Sequence, residues 1–560
     1  MSSDSDIEKH RQKGSDTTPI YAHELTADDA ALAACGYKQE FKREFTVWTS
    51  FAVSFSVLGL LPSVAVTLVY GMGYAGTAGM VWGWLLAMVG IQAVATSMAE
   101  LSSAMPTSGG LYYCAAVLAP PNWAPLASFL TGWSNWIGQV TAAPSVNYGN
   151  AAMILAAASV SNPNYIPQTW HVFLVTVLLM IVHGGISSLP TRHVARFNGA
   201  STLVNISFLI IVIILIPSAT TNRDPRFNSS SDVWGTISNG TEWPNGIAIL
   251  MSFVSIIWTM SGYDAPFHLA EECSNAQIAT PRAIVMTAAT GGLLGWILML
   301  VIAYTVVDIP STLDSQYGQP FVSYLQQVVN QRTVLTVTGM SIVCAFFMGQ
   351  GCMVAASRLT FAYARDGCFP GLSGWLAKIN ERTLTPVNAV WFNTFIGSLL
   401  LLLMFVNEIA IGAIFSVGAI AAYFAFTVPI AIRVFFVGNR FRPGPWSLGI
   451  WSRPIGIVAC AYVLLMIPIL CLPTVKGADL NASTMNWTVV VWAGPLFLAF
   501  IWFEVSAHKW FKGPVVNLEH QIYDIQPAYT RDGDRSSAGN QDSSLDKNPK
   551  TDVKTSVQAA

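Results

Sequence analysis

The sequence is dominated by apolar stretches about as long as a lipid bilayer is thick. A membrane-spanning helix needs about 20 mostly apolar residues. Windows of that length predict twelve spans, near residues 46–70, 78–102, 124–156, 170–189, 199–218, 247–268, 283–307, 333–361, 387–406, 409–436, 454–473 and 486–506. Charged residues make up only 10% of the chain, against about 25% in an ordinary globular protein. The sequence therefore predicts an all-α polytopic membrane protein.

The charged residues are concentrated at the two ends of the chain. Of the 30 acidic residues, 16 precede Phe45 or follow Val505. These end segments contain too little apolar sequence to form a core of their own. The sequence thus predicts a disordered tail at 1–45, a twelve-helix membrane domain at 46–506 and a largely disordered tail at 507–560.

Several classes of function are disfavoured by composition. The net charge of −2 gives no reason to expect a nucleic-acid partner. The eight cysteines contain no C-x-x-C pair, which argues against a structural zinc site and a disulfide framework. The sequence contains no H-E-x-x-H motif and no paired-acid motif, so nothing in it indicates a membrane enzyme. We expect no metal, no cofactor and no enzymatic activity.

The basic residues predict the orientation of the chain in the membrane. Twelve spans place both tails on one side, and eleven of the fifteen Lys and Arg residues between the tails then fall on that side. The positive-inside rule predicts that this side is the cytoplasm. Four N-x-S/T sequons fall in predicted external loops, at Asn228, Asn239, Asn481 and Asn486, and they are candidate glycosylation sites.

Two of the predicted spans are interrupted by glycine and proline. The first contains Ser56–Gly59 followed by Pro62, and the sixth contains Ser261–Asp264 followed by Pro266. Irregular backbone is tolerated in a bilayer where it lines a cavity. Two breaks five spans apart are typical of transporters built from inverted five-helix repeats. Simple proline kinks are the alternative, and the matching positions favour a cavity.

The breaks supply most of the candidate binding residues. Asp264 is the most isolated acid within a span, and it can bind a substrate amine, carry a coupling proton, or pair structurally with His268. Polar residues elsewhere in the spans can line the path or bond neighbouring helices. The candidate substrate-binding residues are Ser56, Val57, Leu58, Gly59, Ser261, Gly262, Tyr263, Asp264, Asn135, Gln139 and Gln350.

Three blocks of sequence resemble the amino acid–polyamine–organocation permeases. The first is Met98–Tyr113, the second joins Ala356–Arg358 to Ala364–Gly367, and the third is Ser261–Ala265 with the acids that follow it. They occur in the order and spacing of that superfamily. Phe55–Pro62 and His268–Glu272 are most similar to the fungal amino acid/choline branch, which includes γ-aminobutyrate permeases.

The resemblance implies a LeuT-like fold, with five-plus-five inverted repeats and two extra helices. It also implies secondary active import of an amino acid or similar amine by proton symport, with a choline permease or a transporter-like nutrient sensor as alternatives. We expect the plasma membrane as its location, with the vacuolar membrane as the alternative. The residues that would shape a cytoplasmic gate are Glu100, Pro106, Gly109, Gly110, Arg358, Arg365 and Asp366. Arg365 is expected to pair with an acid that the sequence does not identify.

Overall fold

The computed structural model describes residues 26–220, 225–405, 408–482 and 484–514, without the side chains of 408–416. Its first half contains the helices α1 (Ala27–Ala34), α2 (Val47–Leu58), α3 (Leu60–Ala104), α4 (Gly110–Leu118), α5 (Ala124–Ser161), α6 (Thr169–Ser187), α7 (Thr191–Ala219), α8 (Ser230–Gly235), α9 (Asn245–Thr259), α10 (Ala265–His268) and α11 (Ala276–Thr305). The second half contains α12 (Ile309–Leu313), α13 (Pro320–Val328), α14 (Gln331–Arg365), α15 (Ser373–Leu376), α16 (Val387–Leu400), α17 (Glu408–Ala431), α18 (Ser452–Leu470), α19 (Thr488–Trp502) and α20 (His508–Trp510).

Short turns of other helical types extend several of these helices. The 3₁₀ turns are Ala270–Glu272, Leu401–Phe405, Gly438–Arg440, Gly449–Trp451 and Gly477–Asp479, and the π-helical turns are Ile432–Val437 and Phe503–Ala507. Among the described residues there is no sheet, and one isolated bridge joins Phe45 to Cys273. The predicted all-α polytopic fold is confirmed.

The twelve predicted spans fall on helical stretches of the described chain, and the first and sixth each cover two helices separated by a break. Within the described chain, nine helical stretches are long and apolar enough to cross a membrane. One of them, Val47–Ala104, contains the first two predicted spans, and its backbone leaves the helical conformation at Gly59 and Gly76. The third and sixth spans correspond to α5 and to α9 with α10, which are respectively more polar and interrupted.

The long helices pack in two groups. In one group α3 packs most extensively against α9 and α11, and in the other α5 packs against α14 and α17. Helix α2 lies between the groups, where it contacts α7, α10, α11 and α14. The two broken regions therefore meet in the middle of the bundle.

The segment at 26–45 is ordered and does not belong to a disordered tail. Helix α1 begins with a capping box, in which the Thr26 hydroxyl accepts from the backbone of Asp29 and the Asp29 carboxylate accepts in return. After α1, the side chains of Tyr37, Phe41 and Phe45 are buried against the helices. Three spaced aromatic anchors give no continuous apolar signal, so the sequence prediction was wrong over this range. Residues 1–25 and 515–560 lie outside the described residues.

Both ends of the described chain lie at one end of the bundle. Tyr37 contacts Asp366 beside the end of α14, and Phe511 packs in the same aromatic cluster as Tyr363, one turn before that end. We call this end the terminal face. The predicted external sequons lie in the loops of the opposite face.

Three of the four sequons have amides that already donate two hydrogen bonds, and one of them is Asn239, which donates to the Trp243 carbonyl at 2.7 Å and to Asn245 at 3.1 Å. The Asn228 side-chain nitrogen donates to the carbonyls of Ala303 and Val306, at 2.9 and 2.8 Å, and Asn486 donates to those of Leu470 and Leu472. A glycosylated amide keeps one hydrogen, so it cannot make two such bonds. Asn481 is exposed, and its side-chain nitrogen donates to the Asp479 carbonyl at 3.2 Å, a bond that a glycosylated amide can keep with its remaining hydrogen.

If the protein is glycosylated, we therefore expect the glycan on Asn481 and none on Asn228. Asn481→Gln should remove a glycosidase-sensitive shift in gel mobility, and Asn228→Gln should leave that shift unchanged. A shift that depends on Asn228 would contradict the observed bonding of its amide.

Candidate functional site

The first break separates α2 from α3 at a single glycine. Gly59 has φ +46° and ψ +58°, a left-handed conformation that glycine adopts without steric penalty. The first intrahelical bond of α3 runs from the Ser63 amide to the Gly59 carbonyl, at 2.9 Å. The N–H groups at the start of a helix have no intrahelical acceptors, and the helix dipole favours negative charge there. The break thus creates a helix N-terminus at membrane depth.

The second break is a turn between α9 and α10. Gly262 in this turn has φ +119°, a conformation that other residues rarely adopt. The Ser54 hydroxyl of α2 donates to the Gly262 carbonyl at 3.0 Å. A Cβ atom on Gly262 would lie only 2.4 Å from Cγ1 of Val57. The two breaks are therefore in direct contact, and this contact requires glycine at 262.

Leucine at either break is expected to abolish transport. A side chain at Gly262 would collide with Val57, and one at Gly59 would have its Cβ 2.7 Å from Sδ of Met348. Both backbones would also have to leave their left-handed conformations. Gly185→Leu, in α6, is the matched control, because nothing lies within 4 Å of a Cβ atom added at Gly185. Uptake by the purified variants in liposomes tests this, and wild-type rates for Gly59→Leu and Gly262→Leu would exclude the breaks as the site.

A small cavity of about 60 Å³ lies where the breaks meet. It is lined by Val57, Gly138, Gln139, Ala142, Ser145, Val146, Trp258, Ser261, Gly262, Asp264, Met348, Cys352, Gly418, Ala419, Ala422 and Phe426. A water molecule takes up about 30 Å³ of liquid, whereas ligand sites usually measure roughly 300–1,000 Å³. The helices must therefore move apart to admit a substrate, and the structure has the contracted form of the site.

Asp264 is the charged residue of this cavity lining, and one of its carboxylate oxygens has two partners. The residue is 2% exposed. Its Oδ2 accepts a hydrogen bond from Nε2 of Gln139 at 2.8 Å and lies 3.2 Å from Nε2 of His268. A buried carboxylate is stable only where such partners replace water. The structure thus brings Gln139 of α5 together with Asp264, which directly precedes α10, and His268, which ends α10.

Two other candidates on α2 face away from the cavity. The Ser56 hydroxyl accepts from Ser201 of α7 at 2.9 Å and donates to a backbone carbonyl of α14. The Leu58 side chain packs against Gly291 of α11. Successive residues of a helix point in directions about a quarter-turn or more apart, so four consecutive residues cannot all line one cavity. Ser56 and Leu58 therefore join α2 to its neighbours.

Four further candidates also lie outside the cavity lining, and one of them is Gly59, where an added Cβ would meet Met348. The Gln350 amide donates to the Ser187 hydroxyl of α6 at 2.8 Å. The ring of Tyr263 packs 5.8 Å from that of Phe426. Both amide atoms of Asn135 are buried without a hydrogen-bond partner among the described residues. Of the polar candidates outside the breaks, only Gln139 reaches the cavity.

The sequence interpretation missed the aromatic part of the cavity. Trp258 and Phe426 contribute ring surfaces, and Met348 and Cys352 contribute sulfur-containing side chains. Trp258 lies one helical turn before Gly262 and so faces the same side of the helix as the break. This spacing could have identified Trp258 from the sequence. Phe426 and Cys352 lie in continuous helices, where only the packing reveals which face is turned inward.

At the terminal face, two arginines of α14 pair with two acids that follow α10. Both terminal nitrogens of Arg365 lie 3.0 Å from the carboxylate oxygens of Glu271. Nε of Arg358 donates to Glu272 at 2.8 Å. All four side chains are buried. We call Arg358, Arg365, Glu271, Glu272, Asp366, Tyr37 and Tyr112 the charge cluster; Glu271 is the acid that the sequence did not identify.

Asp366 links this cluster to the N-terminal segment. Its carboxylate accepts from the hydroxyls of Tyr112 at 2.8 Å and Tyr37 at 3.0 Å. Burial, and then the negative charge of Asp366, raise the pKa of Tyr37 well above its usual value, so its phenol stays protonated and donates. The guanidinium of Arg365 also stacks 4.1 Å from the centre of the Tyr37 ring. The segment at 26–45 is therefore part of the closure of this face.

The loop between α3 and α4 lies against the same cluster. The amide of Ser108 donates to Glu271 at 2.9 Å. Pro106, Gly109 and Gly110 are all buried in this loop. Arg358, Arg365, Asp366 and the loop are thus brought together in one cluster.

Glu100 does not belong to the charge cluster. Its carboxylate accepts from the Leu448 amide at 3.2 Å and from the Ser452 hydroxyl, and it lies 3.9 Å from a guanidinium nitrogen of Arg433. Ser452 begins α18 and Leu448 shortly precedes it, whereas Arg433 lies in the π-helical turn that extends α17. Glu100 therefore joins α3 to the start of α18, whereas the loop that follows α3 contacts the charge cluster.

These features together define a class of protein. In the part of the chain that the structure describes, no group of three or more His, Cys, Asp or Glu residues could hold a metal ion. Two broken helices meet at one buried carboxylate, and a charge cluster closes one end of the bundle. This architecture is typical of secondary transporters.

Comparison with known proteins identifies the family. Residues 45–495 match the family described as amino acid permease, and the chain belongs to it. It is 57% identical to an uncharacterized amino-acid permease of Schizosaccharomyces pombe, covering 90% of this chain and 93% of that protein. It is 47% identical to a putative polyamine transporter of Candida albicans (89% and 91%) and 33% identical to an amino-acid permease of Arabidopsis thaliana (88% and 97%). The superfamily inferred from the three sequence blocks is confirmed, and it comprises transporters, not enzymes.

Proposed function

We propose that the protein imports an amino acid or amino-acid-like amine, of the γ-aminobutyrate type or another zwitterion, together with protons. The observation that carries this proposal is the position of Asp264, which lies between the two helix breaks and is bonded to Gln139. An ammonium group can replace Gln139 or His268 as the partner of this carboxylate. The N-terminus of α3, where Leu60 and Leu61 carry the first N–H groups, supplies the complementary site for a substrate carboxylate.

Proton coupling follows from the cost of burying a charge. The contracted cavity holds Asp264 away from water, and an ionised carboxylate is tolerated there only with a partner. A bound amine can pair with it, and His268, one turn along α10, can hold the coupling proton beside the same carboxylate oxygen. The carrier then changes conformation with the zwitterion on Asp264 and the proton on His268, so the substrate and the proton move together.

The orientation proposed from the basic residues places the terminal face in the cytoplasm. The charge cluster would then be the cytoplasmic gate, closed in this structure by Arg365 and Arg358. We propose the plasma membrane as the site of action.

Polyamines and choline are the candidate substrates from other chemical classes. One relative is named a putative polyamine transporter. The cavity lining contains a carboxylate and no basic side chain, which suits a cation without a carboxylate. The rings of Trp258 and Phe426 provide surfaces on which a quaternary ammonium group can bind.

Uptake of radiolabelled compounds by yeast lacking its own permeases separates these candidates. The panel contains γ-aminobutyrate, α-amino acids, spermidine and choline, each at two external pH values. Accumulation of a zwitterion that is faster at low pH and abolished by a protonophore supports the proposal. Uptake of spermidine or choline alone would replace it. No uptake by protein that reaches the cell surface would favour a nutrient sensor.

A further inference from the structure

A second, larger cavity lies on the outside of the bundle. It is an apolar groove of about 730 Å³ between α3, α11 and α18, with walls formed by Trp84, Trp296 and Trp451. Residues at its edges are open to the surroundings, with Val89 65% and Leu293 60% exposed. The groove shares no lining residue with the small cavity at Asp264. Its volume is within the range of specific ligand sites, roughly 300–1,000 Å³.

Basic residues lie where this groove reaches the terminal face. Arg282 is exposed on α11, seven residues before Ala289 and eleven before Leu293, both of which line the groove. Residues seven and eleven apart share one face of a helix, so Arg282 lies in line with the groove, nearer the terminal face. Arg453 is exposed at the start of α18, next to Pro454 of the groove wall.

The chain that leads into α18 has the composition of a bilayer interface with anionic lipid. Residues 433–453 contain four arginines and no acid. Exposed apolar side chains alternate with them, including Phe435, Trp451 and Ile450, which is 88% exposed. Aromatic residues prefer the headgroup level of a membrane, and clustered arginines there attract anionic lipids. Glu100, which contacts this segment, is buried and bonded to Ser452.

We propose that this groove and its arginines form a binding site for one anionic phospholipid. An acyl chain occupies the groove between α3, α11 and α18, and the phosphate binds Arg282 and Arg453. The groove explains the apolar part of the ligand, and the two arginines explain its charge. A soluble anion would leave the groove unused, and a neutral lipid would leave the arginines unpaired.

Such a lipid would act on the contact between α3 and α18. This contact contains the bonds of Glu100 to Ser452 and to the Leu448 amide, close to the loop that reaches the charge cluster. A ligand bound across both helices stabilises the folded protein by mass action. The assignment of this lipid to the cytoplasmic leaflet rests on the proposed orientation; the existence of the site does not.

Lipid binding to the purified full-length protein tests the proposal without any transport assay. The protein in detergent is titrated with phosphatidylserine, with phosphatidylcholine of the same acyl chains, and with glycerol phosphate, and occupancy is followed by native mass spectrometry and thermal unfolding. Because each basic residue near a membrane surface contributes about fivefold in affinity, we expect roughly 20-fold preference for phosphatidylserine. Equal binding of phosphatidylcholine, or equal binding of glycerol phosphate, would overturn the proposal.

Three variants assign the site. Arg282→Gln with Arg453→Gln should bind both lipids equally, and Arg332→Gln with Arg382→Gln, two exposed arginines elsewhere, should keep the preference. Ala289→Trp should weaken binding of both lipids, because it fills the groove at an exposed position and leaves the arginines intact. Unchanged binding in either of the two groove variants would exclude this site. Failure of the uptake experiment would leave these binding results unaffected.

Discussion

Replacing Asp264 with asparagine is expected to reduce substrate uptake roughly 100-fold, since hydrogen bonds to charged groups contribute about 1.5–3 kcal/mol and the uncharged amide cannot hold the proton on His268. The amide keeps the size of the side chain and can still accept from Gln139. The protein should therefore reach its membrane normally and melt at a similar temperature. Its remaining transport should no longer respond to external pH. Uptake and thermal unfolding of the same purified variant measure both quantities.

Two further variants separate transport from structure at this position. Asp479→Asn is the matched control, because Asp479 is an exposed acid of the opposite face, and it should transport normally. His268→Gln removes the rival structural pairing and keeps Asp264. If Asp264 served only to bond His268, both variants would lose stability together and Asp264→Asn would keep its pH dependence. That outcome would end the case for Asp264 as part of the coupling site.

Replacing Arg365 with glutamine is expected to open the terminal face. Removal of one partner from a buried ion pair costs about 3–5 kcal/mol, because the other charge is left without compensation. Glu271 would be that charge, since its side chain is fully buried in the closed form. A change of this size shifts a two-state equilibrium by a factor of roughly 100 or more. The open form should become dominant. Accumulation of substrate should then be lost, and substrate should exchange across the membrane faster.

Thiol labelling measures this opening directly. Cys352 lines the cavity at Asp264 and is buried in the closed form, so a membrane-impermeant maleimide should label it much faster in Arg365→Gln. Peptide mass spectrometry distinguishes it from the other cysteines. Arg382→Gln removes an exposed arginine and should change nothing, whereas Arg365→Glu with Glu271→Arg should restore protection. Equal protection of Cys352 in Arg365→Gln and the wild type would show that the charge cluster does not hold the gate.

The helices and their two interruptions followed from the sequence alone. A span needs only a sufficient run of apolar residues, and that is a local property of about 20 positions. The breaks at Gly59 and Gly262 could also be predicted from the sequence, because glycine and proline determine the conformation of the backbone at and next to their own positions. Family membership was visible in three blocks for the same reason. Of the site, Asp264 and its neighbour His268 were identified because they lie one turn apart on the same helix.

The tertiary structure alone decided which of these residues meet. Glu271 and Arg365 are 94 residues apart, and the sequence contained several acids that could have been the partner. The choice among Ser56, Val57 and Leu58 depended on how α2 is rotated against α7, α11 and α14, which three adjacent buried positions do not reveal. Tyr37 became part of the closure because the helices provide a surface for scattered aromatic side chains. Apolar length and backbone breaks are local properties, whereas ion pairs and cavity walls depend on the packing of distant segments.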